Sequence, residues 1–196
     1  DTPEEREKRI AFVSVRPDWM DNKGLLGYYN LLDEKYHATP VLKLLLQARQ
    51  NPGKLYFVIL DEMNLAKVEQ YFSDFLSIME SRTSNKPHGE PMELHSARNT
   101  ETHDGIPIPS KLHIPSNVYF TGTVNVDEST YMFSPKVLDR ANVIEFNDVN
   151  LESYSKGFEA SERLVLQYPD IREKFIDIDI DPFCSRKDYE DAKMIM

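Results

Sequence analysis

Four apolar, β-branched or aromatic stretches predict the strands of one sheet. Residues 9–15 (RIAFVSV) stop before a proline, as strands commonly do, and 142–146 (NVIEF) are a short run of similar character. Residues 55–60 (LYFVIL) and 117–125 (NVYFTGTVN) are more continuous apolar runs, which are typical of strands covered on both faces of a parallel sheet. We therefore expect at least two of these strands to be fully buried.

Helical patterns separate the predicted strands. The Thr39-Pro40 pair is a favourable N-cap and first helical residue for VLKLLLQARQ. Apolar residues recur at helical spacing over 65–79, which predicts an amphipathic helix packed on the sheet. A brief helix, KVLDRA, begins after Ser134-Pro135. Strands alternating with helices predict an α/β fold, with a mostly parallel sheet flanked by helices.

Three segments have weaker patterns. Residues 18–38 contain many Gly, Asn, Asp and Tyr residues and predict a structured loop with a short helix at most. Residues 81–115 contain Pro and Gly among charged residues, with weak alternation, and predict a surface β-hairpin insertion. Beyond 148 the pattern is helical and polar, except that IDIDIDPF suits either a short strand or a polar linker.

Composition narrows the class of protein. The chain has 196 residues, 40% of them hydrophobic, which suffices for the core of one ordinary domain. Its 33 acidic and 23 basic residues give a formal charge of -10, which argues against unaided binding of nucleic acid through phosphates. Its single cysteine, Cys184, cannot form an internal disulfide, and no apolar run approaches the ~20 residues that cross a bilayer. We expect a cytoplasmic protein with no membrane partner.

The histidines give no sign of a metal site. None of those in the predicted insertion has the two-histidine spacing of a helical zinc site, so we expect solvated or hairpin-pairing side chains. The five lie at positions 37, 88, 95, 103 and 113.

Two carboxylates, Asp61 and Glu62, directly follow a predicted buried strand. Open α/β sheets bind ligands at the carboxyl ends of their strands. In a nucleotide hydrolase, the first acid would hold Mg²⁺, which prefers carboxylate and phosphate oxygens. The second would polarise the attacking water as a general base. Acidic pairs after strands are also common on surfaces, so the pair alone leaves both interpretations open.

Two further polar residues extend this pattern. Asn125 ends the next predicted buried strand, so its amide would project toward Glu62 if the two strands are neighbours. A neutral amide there could orient water or contact a terminal phosphate, although Asn is also common in turns. Arg140 ends the brief helix, where its guanidinium could reach a neighbouring subunit's nucleotide. A surface salt bridge to Asp139 or Glu145 is the alternative.

These residues lie in two stretches that carry a family resemblance. FVILDEMNLAKVEQYFSDFLS resembles the Walker B strand and following helix of the AAA+ superfamily. VYFTGTVNVDESTYMFSPKVLDRANVIEF is similar to its sensor-1 strand, arginine-finger helix and next strand. The likeness is strongest to the McrB-type restriction NTPases, whose sensor-1 strand ends in a phrase like GTMN. RPDWMDNKGLLGYYN also resembles the loop after the second strand of such modules, so the resemblance covers Ile10 to Phe146.

The resemblance implies a partial P-loop NTPase (AAA+) fold and assigns roles to four residues. Asp61 would be the Mg²⁺-associated Walker B acid, and Glu62 the catalytic base. Asn125 would be the sensor-1 residue that contacts nucleotide, and Arg140 the arginine finger acting on a neighbouring subunit. Residues 1–148 would form the core fragment, and 149–196 the start of a helical lid or a C-terminal extension.

The chain departs from the family pattern in two places. The family has Asp three residues after the sensor Asn, whereas that nucleotide-binding position is Glu128 here, with Asp127 just before it. Which of the two acids fills the role is open. No GxxxxGK[ST] phosphate-binding loop occurs, since Gly24 and Gly27 belong to KGLLGYY. In AAA+ modules this loop precedes the strand with which this chain starts, so we expect an amino-terminally truncated module that binds nucleotide poorly alone.

The function implied by the resemblance is that of a motor subunit. It would hydrolyse GTP or ATP with Mg²⁺ as a homo-oligomeric ring, expected to be a hexamer. An McrC-like nuclease subunit would be its partner in modification-dependent DNA restriction, and DNA would be contacted through the assembly. Two alternatives remain open: a non-hydrolysing AAA+-like assembly module, and a motor that remodels protein rather than DNA.

Overall fold

The computed structural model of the chain describes residues 2–83, 88–125 and 130–145. The predictions for residues 149–196, and the boundary at 148, lie outside the described residues. The helices are α1 (Pro3–Glu7), α2 (Lys23–Leu26), α3 (Pro40–Gln50), α4 (Val68–Tyr71), α5 (Ser73–Glu80) and α6 (Pro135–Leu138), with a short 3-10 helix at Met63–Leu65. The strands are β1 (Ile10–Ser14), β2 (Gly27–Asn30), β3 (Lys35–Ala38), β4 (Tyr56–Asp61), β5 (Met92–Glu93), β6 (Lys111–Leu112) and β7 (Val118–Gly122).

A three-stranded parallel sheet in the order β1-β4-β7 positions the candidate site. Ser14 at the end of β1 pairs with Asp61 at the end of β4, and Leu60 pairs with Gly122 at the end of β7. All three carboxyl ends therefore lie at one edge of the sheet. The prediction of an α/β fold with a parallel sheet flanked by helices is confirmed at this level.

Within the described residues, only one face of this sheet is covered. Val58 and Leu60 are fully buried, and helix α3 contributes Leu42 and Leu45 to the same core. On the opposite face, Phe12 is 61% exposed and Phe57 is 39% exposed. The expectation that LYFVIL is covered on both faces is therefore wrong for the described part of the chain, because a continuous apolar run does not reveal which face lacks a partner.

The predicted helices are correct in place, and α3 also has the predicted length, whereas the helix predicted over 65–79 is divided. Thr39 caps α3 by accepting a hydrogen bond from the Leu42 backbone N–H at 3.2 Å, as expected. The single helix predicted over 65–79 is instead the 3-10 helix followed by α4 and α5, which are separated at Phe72. The Phe72 ring stacks on Phe75 at 4.9 Å. Both short helices bury aromatic residues, so the apolar periodicity persists across the break.

A hairpin replaces part of the loop predicted over 18–38. Strands β2 and β3 are antiparallel, with Tyr28 opposite His37. Gly27 begins the hairpin with φ +89°, and a Cβ atom there would lie 1.9 Å from the His37 carbonyl oxygen. The Asn-Gly-type turn signals of short hairpins are missing between these strands, which is why the sequence pattern did not reveal them.

The insertion over 81–115 contains the predicted antiparallel pairing. Strands β5 and β6 pair through Met92 and Leu112, and an isolated bridge joins Glu101 to Pro107. An antiparallel pairing is therefore present, over stretches of only two residues each, and its Met92 and Leu112 side chains are buried rather than at the surface.

The strand predicted at NVIEF is wrong over the residues that the structure describes. Residues 142–145 have no strand assignment, and Val143 and Ile144 are exposed. A strand needs a neighbour for its backbone hydrogen bonds, and none of the described strands pairs with this segment.

Among the described residues, no helix is both long and apolar enough to cross a membrane.

Candidate functional site at the ends of two parallel strands

The side chains of Glu62 and Asn125 meet at the carboxyl edge of the sheet. Asn125 Nδ2 donates a hydrogen bond to Glu62 Oε1 at 3.2 Å. The two residues lie just beyond β4 and β7, which are hydrogen-bonded neighbours. The expected proximity of this amide and this carboxylate is therefore confirmed, while their catalytic roles stay predictions.

Thr123 connects both acids to the end of β7. Its hydroxyl donates to Asp61 Oδ1 at 2.8 Å and accepts from the Glu62 backbone N–H at 2.9 Å. Sequence reasoning missed this residue. Thr123 lies two residues before Asn125, and alternate residues of an extended chain point to the same side. This spacing could have placed Thr123 at the site.

Glu62 has a strained backbone. Its φ of 51° and ψ of 50° lie in the left-handed region, which side chains other than glycine and asparagine rarely adopt. Such conformations cost about 1–3 kcal/mol and occur preferentially at functional sites. The conformation turns the chain from β4 into the 3-10 helix at Met63–Leu65 and leaves the Glu62 carboxylate exposed beside Asn125.

Asn64 holds the chain that follows β7. It is 3% exposed, and its Nδ2 donates to the Asn125 carbonyl oxygen at 2.7 Å. The Tyr131 backbone N–H donates in turn to the Asn64 carbonyl oxygen at 2.9 Å. Gly122 allows the close approach, since a Cβ there would lie 3.2 Å from Met63 Cβ and 2.7 Å from its sulfur. Asn64 was also missed, because its partners are 61 or more residues away in sequence.

Arg140 binds an acid of its own chain. Its Nη2 donates to Glu80 Oε1 at 2.6 Å and its Nε donates to Glu80 Oε2 at 3.1 Å, so the pair is bidentate. Nη1 also donates to the Lys136 carbonyl oxygen at 2.6 Å. The hydrogen bonds from Arg140 lower the pKa of Glu80. Glu80 is a partner that the sequence did not suggest, and this contact holds the guanidinium against α5.

Helix α6 is fastened to α4 by a second acid. Glu69 Oε1 accepts a hydrogen bond from the Ser134 backbone N–H at 3.0 Å, at the start of α6. Burial raises the pKa of Glu69, but hydrogen bonds with Ser134 and with its own backbone, together with the charge of Lys67, lower the pKa overall. This contact positions the helix that carries Arg140.

Two of the predicted residues lie outside the described part of the chain. Asp127 and Glu128, which compete for the family's acid position, belong to the segment 126–129. The chain is described again from Thr130, whose hydroxyl donates to the Asn125 carbonyl oxygen at 2.9 Å. Which of Asp127 and Glu128 fills the acid position of the family therefore stays open.

A cluster of two histidines and one acid lies elsewhere, and the side chain of His103, in the insertion, is 59% exposed, in line with the expectation of a solvated histidine. Asp33, His37 and His103 place one possible ligand atom each within 4.8 Å of one another. Asp33 and His103 are 70 residues apart, so their spacing in sequence carried no signal.

No protein-family model matches the chain, and no curated protein matches it either. Asp61 is partly exposed and Glu62 is exposed, so both carboxylates are accessible to a cation and to water. Oxygen ligands of this kind suit Mg²⁺. Together with the Asn125 amide, the site offers a cation ligand, a proton acceptor and a neutral hydrogen-bond donor within one edge of the sheet.

Proposed function

We propose that this chain contains the Walker B, sensor-1 and arginine-finger part of a ring-forming AAA+ NTPase of the McrB type, which hydrolyses GTP or ATP. The observation that carries the proposal is the hydrogen bond from Asn125 to Glu62 across the ends of β4 and β7. A hydrolase needs a proton acceptor and a neutral donor at one point, and a parallel sheet with both at its carboxyl edge is compatible with a partial P-loop-like fold.

In this proposal, Asp61 holds Mg²⁺, and its carboxylate fits because that ion prefers hard oxygen ligands. When bound, the ion would neutralise charge on the phosphates of the nucleotide. Thr123 keeps the Asp61 carboxylate in place through the bond to Oδ1. Asp61 would thus be a ligand, and Thr123 a positioning residue.

Glu62 is the proposed general base. One of its oxygens accepts from Asn125, and a carboxylate has lone pairs left to accept a proton from an attacking water. Asn125 orients that carboxylate and could contact the terminal phosphate without placing another negative charge beside it. The left-handed backbone of Glu62 fixes the direction from which its side chain leaves the sheet.

Arg140 is the proposed arginine finger for a neighbouring subunit. Its present pair with Glu80 would have to open first. Glu80 is 56% exposed, so water would hydrate its carboxylate when the guanidinium turns to a phosphate. The ring, expected to be a hexamer, the nuclease subunit and contact with DNA all belong to the same proposal.

The test requires a phosphate-binding loop, which this sequence does not contain. The first step is to sequence the coding region upstream of Asp1 and look for a strand followed by GxxxxGK[ST]. In the protein that includes such a loop, Glu62→Gln should lower kcat for GTP or ATP by at least about 100-fold, since general bases contribute roughly 10²–10⁴-fold. Glu90→Gln, at an exposed acid away from the site, is the matched control. Full turnover by Glu62→Gln would overturn the assignment.

A second candidate function is a non-hydrolysing AAA+-like assembly module. The sequence feature that favours it is the lack of GxxxxGK[ST], because without that loop no backbone N–H groups and lysine hold the phosphates. An upstream region without the loop would support this candidate over the motor. A motor that remodels protein rather than DNA has the same site and differs only in its substrate.

A further inference from the structure

Two histidines converge on one carboxylate oxygen between the β2–β3 hairpin and the insertion. Asp33 Oδ2 lies 2.8 Å from His37 Nε2 and 3.2 Å from His103 Nε2. Asp33 lies in the turn between β2 and β3, His37 is in β3, and His103 belongs to the insertion. His103 is 70 residues from Asp33 in sequence, so only the folded chain brings it to the other two side chains.

We propose that Asp33, His37 and His103 bind one Zn²⁺ ion, which links the β2–β3 hairpin to the insertion. Two imidazole nitrogens and one carboxylate are a common three-ligand set for zinc, with water at the fourth position. Imidazole ligands also favour zinc over Mg²⁺, which keeps this site chemically separate from the acids at the end of β4.

The distances between the ligand atoms are close to those needed for all three residues to bind one zinc ion. Zinc bonds of about 2.0–2.2 Å in a tetrahedron place neighbouring ligand atoms roughly 3.3–3.6 Å apart. The observed separations from Asp33 Oδ2 are 2.8 and 3.2 Å, and all the ligand atoms are within 4.8 Å. Shifts of a few tenths of an ångström at Asp33 and His37, together with rotation of the exposed His103, would accommodate the ion.

The carboxylate and one imidazole are already held in place. Asp33 Oδ1 accepts a hydrogen bond from the Lys35 backbone N–H at 3.1 Å, so Oδ2 is the oxygen directed at the histidines. The His37 ring stacks on Tyr28, its partner across the hairpin, with centroids 5.2 Å apart and planes 4° from parallel.

Contacts on both sides of His103 hold the insertion against its neighbours. The Tyr36 backbone N–H donates to the Glu101 carbonyl oxygen at 3.0 Å, two residues before His103. Lys43 pairs with Asp104 at 2.7 Å on the other side of that histidine. His103 is therefore held close to the hairpin without the ion. Its side chain is 59% exposed, which leaves a path for the ion to enter.

The test measures zinc binding to the untagged chain. Isothermal titration with zinc chloride, and metal analysis after equilibrium dialysis, should give one Zn²⁺ per chain. His103→Ala and Asp33→Ala should each weaken binding by at least about 10-fold, since even supporting residues of metal sites contribute 10–100-fold. His113→Ala removes an exposed histidine outside the cluster and should bind zinc like the parent chain. Far-UV circular dichroism of each metal-free variant verifies folding.

The outcome distinguishes this site from the proposed hydrolytic one. Co²⁺ in place of zinc should give the intense visible absorption of a tetrahedral site in the parent chain and in Glu62→Gln, but not in His103→Ala. No binding by the parent chain, or equal binding by His103→Ala, would overturn the zinc proposal and leave a hydrogen-bonded histidine–carboxylate cluster. Either result leaves the role of Glu62 unaffected, although the zinc-binding and hydrolytic residues share one chain.

Discussion

At the scale of single residues, the backbone of Glu62 is the most constrained feature of the candidate site. A non-glycine residue with φ 51° stays in that region because its neighbours hold it there. The Glu62 N–H donates to Thr123, and its carbonyl oxygen accepts from the Leu65 N–H at 2.9 Å. The turn is therefore fixed from both sides, and the direction of the Glu62 side chain follows from it.

Glu62→Gly and Glu62→Ala test this conformation. Both variants remove the carboxylate and its bond to Asn125, so their difference reports the backbone alone. We expect Glu62→Gly to be more stable than Glu62→Ala by roughly 1 kcal/mol, because the left-handed region costs L-residues about 1–2 kcal/mol, partly offset by the greater unfolded-state entropy of glycine. Urea unfolding of this chain measures both free energies. If alanine is the more stable of the two, the left-handed turn is not the native conformation.

At the scale of elements, Asn117 joins the start of β7 to the end of α3. It is 2% exposed, and its Nδ2 lies within 2.7–3.1 Å of the carbonyl oxygens of Ala48, Asn51 and Lys54. These carbonyls lie at or beyond the last turn of α3, and two of them also accept a backbone N–H at 3.1 Å, Ala48 from Asn51 and Asn51 from Lys54. One amide therefore aligns the helix with the strand that precedes the candidate site.

Asn117→Ala and Asn117→Asp should separate the loss of this donor from the burial of a charge. Asn117→Ala should lower the free energy of unfolding by about 1–3 kcal/mol, because the side-chain hydrogen bonds to these three carbonyl oxygens are lost. Asn117→Asp should cost more at pH 7, since it places a carboxylate against three carbonyl oxygens.

The pH dependence of these two variants provides the control. Burial raises the pKa of the new Asp in the folded state above its unfolded value, so the folded chain binds the proton more tightly. The excess cost of Asn117→Asp over Asn117→Ala should therefore shrink as the pH falls from 7 toward 5. Chemical denaturation of both variants at pH 7 and at pH 5 measures this difference in the free energy of unfolding. A pH-independent difference would show that the side chain reaches solvent.

At the scale of the whole molecule, the part of the chain that the structure describes has one packed face and one open face on its central sheet. Val58 is fully buried, whereas Phe12, on the neighbouring strand, is 61% exposed. Ile10 and Phe57 are exposed in the same way. The hydrophobic core of the described residues therefore lies on one side of β1, β4 and β7, with α3 and α5 as its cover.

Val58→Thr and Phe12→Thr compare these two faces directly. Val58→Thr should cost about 1–3 kcal/mol, because it buries a hydroxyl without a partner. Phe12→Thr should change the free energy of unfolding by no more than about 0.5 kcal/mol, as surface substitutions usually do. Thermal and urea unfolding of the full chain provide the values. A cost at Phe12 that matches the cost at Val58 would show that the open face is covered in solution.

Local sequence patterns predicted much of the fold, because the elements concerned are determined mainly by residues close in sequence. The caps and apolar spacing of α3, and the apolar runs of β1, β4 and β7, depend on neighbours a few residues away. The break at Phe72 and the missing strand at NVIEF were not predictable in this way. The first depends on how two short helices pack, and the second on whether another strand supplies backbone partners.

The amino-acid sequence by itself determined which residues form the central strands and that Asp61, Glu62 and Asn125 follow two of them, because strand patterns and adjacent polar residues are local properties. Only the tertiary structure decided that Thr123 bridges the two acids, that Arg140 pairs with Glu80, and that Asn64 holds the chain after β7. The same holds for the cluster of Asp33, His37 and His103. Apart from the contact between Asp33 and His37, these contacts join groups about 60–70 residues apart, and such pairings arise from chain packing that no short-range periodicity encodes.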